Sequence, residues 1–401
     1  MLPFALLLCL VPIVISAYHH DKIQAPLQLD EHPESFNKSL FDETIVSFMQ
    51  AREIPGLSVA LTYNDRLIYA SAFGYADREE DLLVTTSDRF RLASVSKSIT
   101  AIAIMRLAEL GALNLTSRVF GRSSILGSSY SGKTYSEWEK RITIQHLLEH
   151  SSGFVDEDMC GEGCDPTYLP ETMHLNQWDL VASILDKYTP SHAPGTFASY
   201  SNFAYFVLGR VIEATASTNY SSYVRAEILK PLNATSIQIA SDNKTDDDVS
   251  YYDFEDANAP YAFHVSRRDS VGAWTASPVD LVKILTSIDG LPSRSDILAS
   301  ESTKAMFSKS SVTGSSYAKG WTVKLGSDLE LIEAAKDGGY PGTNAYWNIN
   351  FLNKTSYAIV VNREIEKSKK KGFNGGFDLK NLMDNLTFPI TEWPGWDLFD
   401  V

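Results

Sequence analysis

The sequence predicts an α/β (α+β) fold in which strands from both ends of the chain share one antiparallel sheet, flanked by helices and interrupted by an inserted helical subdomain. Three observations carry that expectation. Runs of apolar and β-branched residues lie near the start and in the last third. A helix apolar on most sides follows the first of them, and helix-like segments separated by Gly, Ser and Pro clusters fill the middle, roughly residues 116–281.

Taken in order, GLSVALTYNDRLIYASAFGYAD reads as a hairpin turning at Asn64-Asp65. SVSKSITAIAIMRLAELGALNL then places Ile99, Ile102, Ala103, Met105, Leu107 and Leu110 on a helical pattern with few charges, and stops at Gly111. A helix of that kind is buried between a sheet and a second layer. ITIQHLLEH, NQWDLVASILDK and NFAYFVLGRVIEATAS supply the helices of the middle section. GWTVKL, DLELIEAAK, NAYWNINF and SYAIVVN return to strand character, with turns at Gly326-Ser327-Asp328 and Asn353-Lys354. No repeat or linker marks a second domain, so residues 46–390 are expected to form one unit between a leader, 18–45, and a tail, 391–401.

Composition narrows the function classes. The 401 residues are 44% hydrophobic and 21% charged, enough for a sizeable core. A net charge of −15 repels phosphate backbones and anionic lipid surfaces, so nucleic acid is not an expected partner. The basic run Lys367, Lys369, Lys370, Lys371 reads as a solvated loop. Residues 1–17, MLPFALLLCLVPIVISA, form a short apolar stretch ending in Ser16-Ala17 and read as a signal peptide of a secreted protein. The competing reading, a retained membrane anchor, is opposed by the shortness of the stretch and its lack of flanking cations; the signal peptide, for its part, lacks a basic leading region. Sequons at Asn37, Asn114, Asn219, Asn233, Asn243, Asn353 and Asn385 fit a secretory route jointly. Cys9 would leave with the signal peptide, and Cys160 and Cys164, in DMCGEGCDP, are expected to pair in an oxidising compartment. No metal or other cofactor is expected, and the oligomeric state is open.

Ser94 and Lys97 form an S-x-x-K element at the start of the buried helix. Three residues is about one helical turn, so the amine lies beside the hydroxyl. An alcohol is a poor nucleophile until a base takes its proton, and an amine serves as that base only when desolvation or a nearby cation lowers its pKa. The same pattern also occurs at Ser35, Ser241, Ser316 and Ser368, but only Ser94 opens a long apolar helix after a hairpin. Tyr200-Ser201-Asn202 stands just before another helix, where a phenol can shuttle a proton and the Asn202 amide can hold a substrate carbonyl; the bland alternative is a loop capping that helix. Lys336-Asp337-Gly338-Gly339, at the edge of a strand, offers a cation and glycines that permit close approach; the bland alternative is a charged hairpin turn.

These three elements, with the blocks ITIQHLLEHSSGF, LKPLNATS, AWTASPVDLVKIL and KDGGYPGTNAYWNI, resemble the serine β-lactamase and penicillin-binding superfamily, most closely its class C-like branch. The resemblance implies a β-lactamase/transpeptidase-like fold and acyl-enzyme chemistry on an ester, amide or peptide. It implies Ser94 as nucleophile, Lys97 and Tyr200 as the proton-handling pair, Lys336 as the third-motif cation and Asn202 as a substrate contact. It also implies an oxyanion hole from the N–H groups of Ser94 and Gly339, with Gly338 beside it. Asp337 departs from the family pattern, since an acid there repels a substrate carboxylate. Two other readings compete. His146, Glu149 and His150 match H-x-x-E-H, a zinc-peptidase pattern that chelation would test; alternatively, the chain keeps the fold for binding or self-assembly without catalysis, which a serine-directed covalent probe would test.

Overall fold

The structure, a computed structural model, describes residues 35–400 except 129, 163, 246–247 and 366–374. The segment read as a signal peptide, most of the leader and the run from Lys367 to Lys371 lie outside the described residues. Helix α1 (Lys38–Ala51) starts inside the segment read as leader, because Phe41, Ile45 and Met49 recur every fourth residue and bury one stripe. Asn37 caps it, its side-chain oxygen accepting from the Leu40 N–H.

Strands β1 (Gly56–Tyr63) and β2 (Arg66–Asp77) form the expected hairpin, with Asn64 and Asp65 at φ of 51° and 66°. Asn and Asp tolerate that left-handed region better than most residues. The two-residue strands β3 (Leu82–Leu83) and β4 (Phe90–Arg91) follow, then one 3-10 turn, Ala93–Val95, and α2 (Ser96–Glu109). The middle section carries α3 (Ile144–Leu148), α4 (Asp156–Cys160), α5 (Gln177–Lys187), α6 (Asn202–Ala216) and α7 (Tyr220–Val224). It ends with β5 (Gln238–Ile239), β6 (Trp274–Ala276) and α8 (Pro278–Leu285). After α9 (Ser300–Phe307) the chain returns as β7 (Thr322–Leu325), β8 (Leu331–Tyr340), β9 (Thr343–Asn350) and β10 (Thr355–Val361), and then α10 (Gly375–Thr387).

The main sheet has the order β3-β2-β1-β10-β9-β8-β7 and is antiparallel throughout. Pairing of β1 with β10, from Leu57 opposite Val361 to Tyr63 opposite Thr355, joins the two ends of the chain as the sequence predicts. Period-two alternation sorts the side chains between two cores. Leu57, Val59 and Leu61 of β1, with Tyr357, Ile359 and Val361 of β10, pack with residues of α1 and α10. Ala60, Ala358 and Val360 pack in the larger core, which holds most of α2 and α6. A second sheet, β4-β6-β5, braces the turn before α2.

The segment read as a tail is also part of the folded body. Trp393 stacks on Tyr63 with ring centroids 5.2 Å apart, Trp396 donates its indole N–H to the Ile68 carbonyl at 3.0 Å, and Asp397 pairs with Arg294 at 2.8 Å.

Asp65, at the hairpin turn, is 1% exposed and accepts from the N–H groups of Ser293 and Arg294 at 3.1 and 3.2 Å. Beyond these it faces the Asp289 carboxyl, with which it shares a side-chain hydrogen bond. Burial raises the pKa of both Asp65 and Asp289, and the charge of Asp65 raises Asp289 further. The native state therefore keeps a proton that the unfolded chain releases, and stability falls as pH rises above the ordinary carboxylate range of about 4. Asp289→Asn removes the repulsion and adds a donor. Its melting temperature should exceed that of the parent near pH 8 and converge with it near pH 4, which calorimetry across that range would measure.

Candidate active site

The turn that carries Ser94 is strained. Ala93, a buried non-glycine residue, is held at φ 45°, and the following residue, Ser94, precedes α2 by a single turn. Such conformations persist where the surroundings over-determine them. Here β4 and β6 fix the approach, with the Trp274 N–H donating to Ser96 Oγ at 3.2 Å and Thr100 Oγ1 donating to the Ser270 carbonyl at 2.7 Å. On the other side, a Cβ added to Gly338 of β8 would lie 2.2 Å from the Leu92 carbonyl oxygen and 2.8 Å from the Ser94 nitrogen. Only glycine lets the strand lie so close.

Around Ser94 the expected groups converge. Its Oγ is 2.6 Å from the Tyr200 phenol and 3.0 Å from Lys97 Nζ. Lys97 is fully buried and also donates to the Val271 carbonyl at 3.0 Å. Burial, reinforced by the charges of Lys336 and Arg268, pushes its amine well below the usual lysine range. Burial pushes the Tyr200 phenol well above its usual range, although the bond to Ser94 opposes the shift. The pair is thus an amine shifted toward its neutral form and a phenol held in its protonated form, both on one oxygen. Lys336 is 6% exposed, lies 4.7 Å from the centroid of the Tyr200 ring and is lowered by burial against the opposing charge of Asp337.

Ser94, Tyr200, Lys336, Asp337, Gly338 and Gly339 line a cleft of about 380 Å³, together with Tyr317, Asn344 and Glu364. A larger cavity, about 570 Å³, opens between Asp77 and Lys244 and contains none of these groups. Lys336 to Gly339 lie within β8 and pair with β9, whereas the pairing of β8 with β7 ends at Ala335, so the motif keeps one edge toward Ser94 and the hairpin turn falls after it. Asn202 is placed differently from the expectation. Its Nδ2 donates to Asp165 at 2.8 Å, its backbone N–H donates to Asp156 at 2.7 Å, and Ser201 caps α6 by accepting from the Ala204 N–H. Cys160 and Cys164 form the expected disulfide, with Cα atoms 5.7 Å apart.

The three residues of the zinc-like pattern each have another partner. His146 Nδ1 accepts from the Thr143 N–H, His150 Nδ1 accepts from the Ser201 N–H, and Glu149 pairs with Lys319 at 2.9 Å. Burial, with Lys336 and Lys97 nearby, keeps His150 well below its usual pKa and so uncharged, 4.6 Å from the Tyr200 ring. It is packing for the phenol. Sequence reasoning missed Tyr317, Asn344, Glu364 and the pair Asp156 and Asp165, none of which stands in a linear pattern of its own.

The β-lactamase family model matches residues 41–374. The chain belongs to the β-lactamase family. This β-lactamase-family chain resembles the octameric penicillin-binding protein homologue from Pyrococcus abyssi at 23% identity, with a TM-score of 0.69 over 89% of this chain and 79% of that one. It resembles the D-amino acid amidase from Ochrobactrum anthropi SV3 at 20% identity, with a TM-score of 0.65 over 87% and 98%. Likenesses at such identity show the fold alone. Protein flp of Staphylococcus aureus (strain N315) is 28% identical over 215 residues, 53% of this chain and 41% of that protein. Beta-lactamase-like protein 2 of Dictyostelium discoideum is 24% identical over 239 residues, 57% and 40%. The match thus spans less than half of the length of these curated relatives.

Within this family frame the close approach of β8 is open to a direct test. Gly338→Ala forces a methyl against Leu92 and Ser94, so covalent labelling of Ser94 by a serine-directed probe should slow about a hundredfold, the scale of losing one oxyanion donor.

Proposed function

We propose that this chain is a secreted serine hydrolase that acylates Ser94 with an ester, amide or peptide substrate. One observation carries the reading: a serine hydroxyl lies between a buried, discharged lysine amine at 3.0 Å and a protonated phenol at 2.6 Å. A protein that only binds or self-assembles has no use for a desolvated lysine beside a serine.

The steps follow from the protonation states. Lys97 takes the Ser94 proton as Oγ bonds to the carbonyl carbon, and the carbonyl electrons move onto oxygen. N–H groups of Ser94 and Gly339 hold that oxyanion. The bond to the leaving group breaks as Tyr200 gives it a proton, and the Lys97 ammonium, 4.9 Å from the centroid of the Tyr200 ring, returns its proton to the phenolate. Water then attacks the acyl-enzyme with its proton passing to the same pair, which frees the acid and regenerates Ser94.

The cleft supports a substrate class. Asp337 is 41% exposed whereas Lys336 behind it is 7% exposed, so a ligand meets the acid first. A carboxylate near Ser94 is disfavoured and an amine-bearing or neutral acyl group is favoured. D-amino acid amidase and D-stereospecific amidohydrolase among the structural relatives fit that class. Secretion is supported by the leading apolar stretch, the disulfide and the exposure of all seven sequon asparagines. Asn37 and Asn219 use Oδ1 as helix caps, which leaves Nδ2 for a glycan.

A serine-directed probe should label the native protein and leave Ser94→Ala unlabelled; persistence in the variant removes Ser94 from the role. In a panel of p-nitrophenyl esters, D-aminoacyl amides and a chromogenic β-lactam, carboxylate-bearing substrates should be slowest, and Asp337→Thr should narrow the gap. The profile of kcat/KM against pH should fall on the acid side as Lys97 gains a proton, far below the ordinary lysine value of about 10.4, and on the alkaline side only above the ordinary tyrosine value of about 10. An acid limb near the ordinary lysine value would exclude Lys97 as the base.

A further inference from the structure

Resting on the reading of Ser94 and Tyr200 above, we infer that Asp156 and Asp165 are positioning residues for Tyr200 and that the Cys160–Cys164 disulfide closes them into a redox-sensitive clasp. Asp156 opens α4, Cys160 ends it, and Asp165 directly follows Cys164. The crosslink therefore spans the loop between the two acids.

Both acids hold the strip next to Tyr200. Ser201 Oγ donates to Asp156 Oδ1 at 2.7 Å and the Asn202 N–H donates to Asp156 Oδ2 at 2.7 Å. Asn202 Nδ2 donates to Asp165 Oδ2 at 2.8 Å, and the Arg268 guanidinium anchors the same oxygen at 2.9 Å. Thr167 N–H donates to Asp165 Oδ1 at 2.9 Å. Asp156 is 6% exposed and Arg268 3% exposed, so the bonds to Asp156 form where water competes little, while the Asp165 side chain is 21% exposed. The loop between the cysteines is different: Gly161 and Glu162 are exposed and both half-cystines are partly exposed. The crosslink and the loop it closes reach solvent, whereas Ser201, at the centre of the strip the acids hold, is buried. Tyr200 has only to move slightly to lose its 2.6 Å contact with Ser94.

Opening the clasp requires an external dithiol. Its thiolate attacks one sulfur, the S–S bond breaks with two electrons and two protons delivered to Cys160 and Cys164, and the dithiol becomes a disulfide. The short loop between the cysteines then loses its crosslink, and Asp165 and α4 no longer hold a fixed spacing. A misplacement of about 1 Å at a catalytic group costs as much as a hundredfold in rate.

The experiment titrates full-length protein with dithiothreitol and follows kcat, KM, near-UV circular dichroism and hydrogen exchange at Ser201 and Asn202. Reduction should lower kcat about ten- to a hundredfold with KM within twofold and the near-UV spectrum retained, and should speed exchange at the Asn202 N–H. The Cys160→Ser/Cys164→Ser variant should show the reduced kcat from the start and no response to dithiothreitol. Asp165→Asn should lower kcat in the same direction with the disulfide intact. Oxidised and reduced protein of equal kcat and equal exchange overturn the clasp, as does an activity loss that tracks loss of the native spectrum. Absence of Ser94 labelling in the oxidised protein instead overturns the hydrolase reading, so the two failures are distinguishable.

Discussion

An amine with no access to water, set among other cations, is the constraint around which the rest of this structure is arranged. Lys97 is fully buried with Lys336 and Arg268 as the cationic neighbours that act on it, and a charged lysine there would lack a solvent shell to stabilise it. Burial therefore favours the neutral amine, and a neutral amine against a serine hydroxyl is what the proposed acylation asks of its base. The fold maintains that environment from three directions: α2 supplies the lysine, the segment before β6 supplies the Val271 carbonyl, and β8 supplies the second cation. Burial of the helix thus supplies the condition on which the proposed chemistry rests, as well as a stabilising contribution to the core.

The elements that the sequence made legible are those whose pattern is set by a layer. α2 is apolar all round because it is enclosed, and this marks Ser94 among five matches to the same short pattern. The terminal strands alternate because each face meets a different core, which is why pairing of β1 with β10 could be anticipated from runs almost three hundred residues apart. Where tertiary contacts alone decide, the linear pattern is silent. The stripe Phe41, Ile45 and Met49 sits among polar residues, and Trp393 and Trp396 stand in a short segment without periodicity, although both pack on the second core.

Asn202 shows the same limit at the site. Its neighbour Ser201 does what a residue before a helix usually does, and the amide was free to be assigned to substrate. What redirects it is an aspartate 37 positions away in a glycine-rich, cysteine-closed loop. Acids in such a loop look like solvated turn residues, since nothing in a linear pattern reveals the arginine, Arg268, that draws Asp165 inward. Long-range charge pairing inside a cleft leaves no period to read.

The electrostatics of the cleft then divide between depth and mouth. Three buried cations would attract an anionic substrate from afar, but two of them are lysines whose charge burial reduces, and the third, Arg268, is matched by Asp165. The Asp337 side chain keeps contact with solvent where that of Lys336 does not, so under the proposed function a substrate meets the field of the acid before that of the cations behind it. On that reading the buried groups serve proton transfer and the exposed acid serves selection. A lysine kept discharged for proton transfer cannot also be a strong anion anchor, and placing a carboxylate beside Lys336 gives the mouth a sign that the floor no longer supplies.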